Sequence, residues 1–198
     1  MHKDTLRQQA LARRRALSAP ERTAASDCIQ QHLLDHLSRA AVKDKRLHDA
    51  PLLLYRALGD EVDTHRLLAG GGKPGSRNIY APVTHHTGHM HWRRVDPATR
   101  WQRGDFGVLE PSNGAPWSPR EEAAIVVCPL VGFDRLGNRL GLGKGCFDRW
   151  LDEAKDHILL TIGLAFACQE CPPIPAEAHD IPLDTIITEG EIIACRNC

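Results

Sequence analysis

Residues 127–151 constrain this chain more than any other stretch. They open on an apolar run suited to a buried strand, then pass through a loop carrying Gly137, Gly141, Gly143 and Gly145 with Arg139 and Lys144. A helical pattern opened by Asp148 follows directly. Glycine lets the backbone approach a ligand closely and take positive φ. The N–H groups at a helix start favour an anion. Strand, glycine loop, two cations and helix start together describe a phosphate cradle, with Asp148 placed to hold a cation beside the phosphates. A ligand-free crossover loop would explain the glycines but neither the cations nor the acid.

At 198 residues the chain is long enough for a proper core, and residues 1–198 are expected to form a single domain. Its 25 basic residues balance 25 acidic ones, so no global field steers it to nucleic acid or to a membrane, and any anion site must be local. The beginning of the chain is charged from Lys3 onward and lacks the apolar core of a signal peptide. Residues 158–168, the longest apolar run, reach about half the length a bilayer-spanning helix needs. Seven cysteines, an odd number, point to free thiols in a reducing compartment. A cytoplasmic protein is expected.

Residues 3–17 have the spacing of a basic amphipathic helix, with Leu6, Ala10, Leu11 and Leu17 apolar and Lys3, Arg7, Arg13, Arg14 and Arg15 polar. Lys3 and Arg7 share a face, where like charges repel unless a polyanion lies near. A solvated face is the simpler expectation from this segment alone. Ser18 and Glu21 form a capping-box pattern opening a second helix to about Arg39, with Ala25, Cys28, Ile29, Leu33 and Leu37 as its buried stripe.

Residues 43–49 suggest a charged linker and 51–57 a buried strand. That strand runs into Asp60, Glu61 and Asp63, acids at the strand end where open α/β sheets bind ligands. Asp63 or Thr64 also suits the N-cap of a short helix to Ala69. Residues 70–75 suggest a flexible turn and 78–83 another strand. Residues 92–101 suggest a surface excursion and 104–111 a loop, in which Phe106 is either an anchor or a stacking surface. Residues 112–122 suggest a connector. A helix over 148–155, a strand over 158–166 and a hairpin joining 185–188 to 191–195 complete the pattern. The expected class is α/β, a three-layer α/β/α Rossmann-like sheet, mostly parallel with some antiparallel strands near residues 78–95.

His85, His86, His89 and His91 invite a metal reading, but no Cys or carboxylate stands at ligand spacing beside them, and exposed hairpin histidines are the expectation. Cys168, Cys171, Cys195 and Cys198 are spaced as two CxxC pairs and could supply a zinc site. A buried strand leading into the first pair, and the terminal position of the second, weigh against it.

The segment Phe133-Asp-x-x-Gly-Asn-Arg139-Leu-Gly-x-Gly-Lys-Gly-x-Phe147-Asp-Arg149 resembles the signature of the 5-formyltetrahydrofolate cyclo-ligase family, also called methenyltetrahydrofolate synthetases. Lys3 with Arg7, Tyr55 with residues 59–64, Ile79-Tyr-Ala-Pro82, Gly107-Val-Leu-Glu-Pro111 and His179-Asp-Ile-Pro-Leu-Asp184 follow in family order, so the resemblance covers nearly the whole chain. It implies an ATP- and Mg²⁺-dependent closure of 5-formyltetrahydrofolate to 5,10-methenyltetrahydrofolate by a monomer, with the folate carrying a polyglutamate tail or none.

The resemblance further implies that Lys3, Arg7, Arg139, Leu140, Gly141, Leu142, Gly143, Lys144, Gly145, Cys146 and Phe147 hold the nucleotide, with Arg139 and Lys144 catalytic. Asp148 and Asp180 would bind Mg²⁺. Glu61 would hydrogen-bond the pterin, and Arg56, Phe106, Leu142, Gly143, Lys144, Gly145 and Cys146 would line the folate pocket. The chain departs from the family pattern at Cys146, where an aromatic is usual, at Leu142, where a polar or aromatic residue is common, and at Arg56, which is more polar than expected. A sugar-phosphate or acyl-transfer enzyme on the same scaffold, and a zinc-binding interaction module built on the paired cysteines, are the competing expectations.

Overall fold

The apolar run at Leu52–Leu54 (β1) is buried throughout because it lies inside a sheet covered on both faces. The computed structural model describes residues 2–70, 77–177 and 180–195. β1 pairs in parallel with Ile79–Thr84 (β2) on one side and Ala124–Pro129 (β6) on the other. Ile158–Leu164 (β9) and Thr185–Ile187 (β10) extend the parallel sheet beyond β6. Met90–Val95 (β3) and Ile192–Ala194 (β11) add an antiparallel strand at each edge, giving the order β11-β10-β9-β6-β1-β2-β3. Trp101–Arg103 (β4) pairs with Leu109–Pro111 (β5), and Gly132–Phe133 (β7) with Arg139–Leu140 (β8), in two small hairpins.

Strand side chains alternate between faces, and the packing divides accordingly. Leu52, Leu54, Ile125 and Val127 meet Ile29, Leu33 and Leu37 of Ala19–Lys43 (α2), with Leu47 of Arg46–Asp49 (α3) and Leu68 of His65–Leu68 (α4). Leu53, Val126 and Cys128 face the other way, toward Trp150 and Leu151 of Cys146–Ala154 (α5). These are the three layers the alternation of strands and helices predicts. In the second layer Trp150 makes edge contacts with Trp92 and Trp117, and Phe147 makes one with Trp92. Lys3–Ala16 (α1) lies outside this sandwich, with Leu6 and Ala10 against Val131, Leu140 and Ile174. The capping box at α2 is complete, Ser18 and Glu21 each accepting from the other's backbone.

Several expectations need correction. Trp92 does not begin a surface excursion: it lies on β3 at 1% exposure, because the edge strand turns alternate residues into the core. Residues 101–111 form a hairpin, where a loop was expected over 104–111. The charged linker over 43–49 is mostly helical, since α2 runs to Lys43 and α3 follows. Helix α5 begins at Cys146 rather than Asp148, with Gly145 as its cap at φ +62°. The glycine stretch is interrupted by the β7–β8 hairpin, whose turn is organised by Asp134. This buried carboxylate accepts from the backbone N–H groups of Leu136, Asn138 and Ile174 and from the Asn138 amide. Of the turn expected at 70–75, residues 71–75 lie outside the described residues.

Candidate active site

The carboxyl ends of β1, β2 and β6 open into a cavity of about 470 Å³. Tyr55 and Arg56 continue from β1, Pro82 and Thr84 belong to β2, and Pro129, Leu130 and Val131 leave β6. The opposite rim is the glycine segment, with Arg139, Gly141, Leu142, Lys144, Gly145, Cys146, Phe147 and Asp148 all on the wall. Parallel strands end here with their connections diverging, which leaves the space that α/β sheets use for ligands.

Gly141, Gly143 and Lys144 are exposed, and space for a further atom at Gly141 is open to 4 Å. Lys144 extends its ammonium over the Phe106 ring, 3.6 Å from the centroid. Leu142 is 61% exposed, whereas Leu140, expected beside the nucleotide, is buried against Leu6 and Ala10 of α1 and is not part of the cavity wall. Arg149 donates to the Lys144 carbonyl at 3.0 Å and steadies the loop where it enters α5.

The basic face of α1 is not left to solvent as expected. Lys3 Nζ lies 2.6 Å from Asp180 and 3.1 Å from Glu177. Partial burial would lower the Lys3 pKa, but the two carboxylates outweigh it and the value is raised. Arg7 donates from Nε to the Gly141 carbonyl at 2.8 Å and also pairs with Asp4. Arg13 donates to the carbonyls of Cys168 and Glu170. Arg14, buried to 4% exposure, pairs with Asp60 at 2.8 Å. The repulsion between Lys3 and Arg7 is thus offset by loop acids and carbonyls from distant parts of the chain.

Arg139 is the junction of the two acids expected to hold a metal. Its guanidinium donates to Asp148 at 2.6 Å and to the carbonyl of Ile181, the neighbour of Asp180, at 2.6 Å. Asp180 in turn accepts from Lys3 and from the Glu177 N–H. Mg²⁺ favours one or two carboxylates completed by phosphate oxygens and water. Asp148 and Asp180 fit that donor set in kind and number. Among the described residues no group of three His, Cys, Asp or Glu side chains forms a protein-only cage.

The apolar part of the cavity has acids in its walls, among them Glu61. Glu61 accepts from the Leu58 N–H at 2.9 Å, and burial pushes its carboxyl above the usual range, opposed by that hydrogen bond and by Arg14. Arg56 stacks its guanidinium on Trp101, 4.4 Å from the ring centroid, so its polar head is accommodated by an aromatic face. Cys146 stands at the start of α5 beside Leu142, with Arg149 3.8 Å from its sulfur. Tyr55, Thr84, Asp105 and Glu110 also line the cavity, and none was singled out as a site residue from sequence. Glu110 lay within a matching segment, but nothing in a run of alternating residues indicates that its carboxyl turns inward.

His85, His89 and His91 come together as stacked rings, with centroids 6.2 and 5.5 Å from His85, and His86 bonds to Asp105. Cys171 is buried and burial raises its thiol pKa, while Cys198, needed for a four-cysteine site, lies outside the described residues. His179 does too. No helix among the described residues is long and apolar enough to cross a membrane.

Residues 1–189 match the model of the 5-formyltetrahydrofolate cyclo-ligase family. The chain is 32% identical to the 5-formyltetrahydrofolate cyclo-ligase of Haemophilus influenzae over 86% of its own length and 89% of that protein. It is 29% identical to the mouse (Mus musculus) protein of the same name, over 93% and 92% respectively. Among solved structures, the 5,10-methenyltetrahydrofolate synthetase of Aquifex aeolicus superposes with a TM-score of 0.75 at 28% identity, covering 100% of this chain and 95% of that one. The Mycoplasma pneumoniae synthetase gives 0.71 at 25% identity, covering 96% and 99%.

Proposed function

Because the chain belongs to the 5-formyltetrahydrofolate cyclo-ligase family, we propose that it closes 5-formyltetrahydrofolate to 5,10-methenyltetrahydrofolate at the expense of ATP, releasing ADP and phosphate. The observation that carries this reading is that one cavity has two kinds of wall. An exposed glycine segment with Lys144 faces an apolar chamber containing Glu61, so a triphosphate and a flat ring system can meet there.

Lys3 and Arg7 on α1, with the backbone of the segment from Arg139 to Phe147, hold the nucleotide in this proposal. Phosphoryl transfer needs positioning and charge neutralisation more than covalent help from the protein. Lys144 sits on the exposed glycine segment at the cavity rim and neutralises the transferred phosphoryl group. Arg139, fixed by Asp148 and the Ile181 carbonyl, supplies a second cation that is already oriented. Mg²⁺, when bound at Asp148 and Asp180, adds charge neutralisation on the phosphate oxygens. The formyl oxygen is phosphorylated, N10 attacks the activated carbon, and phosphate leaves.

Glu61 accepts N–H groups of the pterin, and Arg56, Phe106 and residues 142–146 line the remainder of the folate chamber. The same reading takes the chain as a monomeric, single-domain cytoplasmic enzyme that accepts folates with or without a polyglutamate tail. Mixing the protein with 5-formyltetrahydrofolate, ATP and Mg²⁺ tests the proposal, because the methenyl product absorbs in the near ultraviolet. An ATP- and Mg²⁺-dependent rise is expected; no rise, with no calorimetric heat from Mg-ATP, overturns it.

A further inference from the structure

Glu110 is 4% exposed, yet among the described residues it forms no ion pair. Among the described residues its carboxyl accepts one hydrogen bond, from the Thr84 N–H to Oε1 at 2.9 Å. The carboxyl is seated against Gly104, where a Cβ would lie 2.1 Å from Oε2. A buried carboxylate without a cation is costly, and this one belongs to the wall of the cavity. Such a group is explained when a ligand brings the missing donors. A tetrahydropterin does so, through its ring N–H groups and its exocyclic amine, while a carboxylate is purely an acceptor.

We propose that Glu110 is a second substrate-positioning carboxylate, which accepts an N–H of the reduced pterin from the β5 wall, apart from Glu61. The assignment rests on the folate reading given above. Burial raises the Glu110 pKa, and Asp105 raises it further, while the Thr84 N–H and His85 oppose the shift. Ionised Glu110 offers only accepting oxygens, whereas protonation turns one of them into a donor and weakens the other as an acceptor. Folate affinity therefore declines as pH falls through a range above the ordinary glutamate value of 4.5.

Two substitutions displace this acceptor by different routes. Glu110→Gln keeps an oxygen for the Thr84 N–H but removes the charge. Gly104→Ala keeps the charge and pushes the carboxyl aside. Both should raise KM for 5-formyltetrahydrofolate about tenfold or more while leaving KM for ATP within about twofold. Glu110→Gln should also flatten the acid-side rise in folate KM. Thermal melting separates loss of folding from loss of affinity. If wild-type protein converts 5-formyltetrahydrofolate but both folded variants keep its folate KM and pH profile, the Glu110 role is overturned and the folate reading stands. If wild-type protein shows neither binding nor conversion, both are overturned. Equal rises in the two KM values would also overturn the assignment, since a displaced wall would then explain them.

Discussion

Lys3 Nζ lies 2.6 Å from Asp180 Oδ2, although 177 positions separate the two residues along the chain. The pair draws the start of α1 over the loop beyond β9 and gives Asp180 a cation while no nucleotide is present. The contact between Arg139 and Asp148 does the same for the second acid. In the proposed enzyme Asp180 and Asp148 would hold Mg²⁺, which would supply charge neutralisation there, and Lys3 would then be free to pair with a phosphate oxygen. Neither acid is left buried and unpaired in either state.

Lys3→Ala should raise KM for ATP about tenfold or more and change folate KM little, because it removes the phosphate contact proposed for the first turn of α1. Steady-state kinetics with each substrate varied in turn checks this. A lower melting temperature with both KM values unchanged would show that Lys3 only ties α1 to the loop.

Lys144→Ala and Asp148→Asn should each reduce turnover about 100-fold while the circular dichroism spectrum is retained. Lys144 is exposed on its loop, and Asp148 is only partly buried. For Asp148→Asn the Mg²⁺ concentration giving half-maximal rate should also rise. Wild-type kinetics in either variant would remove that residue from its proposed role.

Glu61 gives a pH signature in stability. Its pKa is raised by burial in the folded protein, so between the ordinary value of 4.5 and the raised one the folded state holds the proton more than the unfolded state does. Stability attributable to Glu61 is therefore present below that window and lost as pH rises through it. Glu61→Gln lacks this loss. It should melt above wild type at pH 7, with the advantage shrinking toward pH 4, while folate turnover falls. Parallel melting curves across pH would contradict the shift.

Asp134→Ala should destabilise the fold by about 3 kcal/mol or more, because it leaves four donors around the β7–β8 turn without their acceptor. Denaturant unfolding measures this, and Asp134→Asn should recover part of the loss. A cost below about 1 kcal/mol would mean that the turn re-forms on other acceptors.

Cys146→Tyr should lower folate KM severalfold by returning an aromatic face to the chamber beside Leu142. An unchanged or higher KM would show that Phe106 already occupies that stacking position.

Local patterns made much of this architecture legible. The apolar runs at β1, β6 and β9, the capping box at Ser18 and the glycine segment each announce themselves within a few residues. Antiparallel pairing near residues 78–95 was legible, but the burial of Trp92 was not, because Trp92, Arg93 and Arg94 look solvent-facing until a partner strand turns Trp92 inward. The destinations of the α1 cations were equally invisible, since Lys3, Arg7, Arg13 and Arg14 meet partners from 46 to 177 positions away. Glu110 belongs to the same class: sequence gives the carboxylate, and only the tertiary fold decides whether it meets water, a cation or a cavity.

Three of the four tryptophans, Trp92, Trp117 and Trp150, are gathered beneath α5, with Phe147 touching the edge of Trp92. Phe147 lies in the first turn of that helix, just past the Gly145 cap where the glycine segment ends. The molecule thus carries its own fluorophores beside the segment proposed to hold the nucleotide. A shift in indole emission on adding nucleotide, absent when folate alone is added, would follow loading of the loop in real time without a dye.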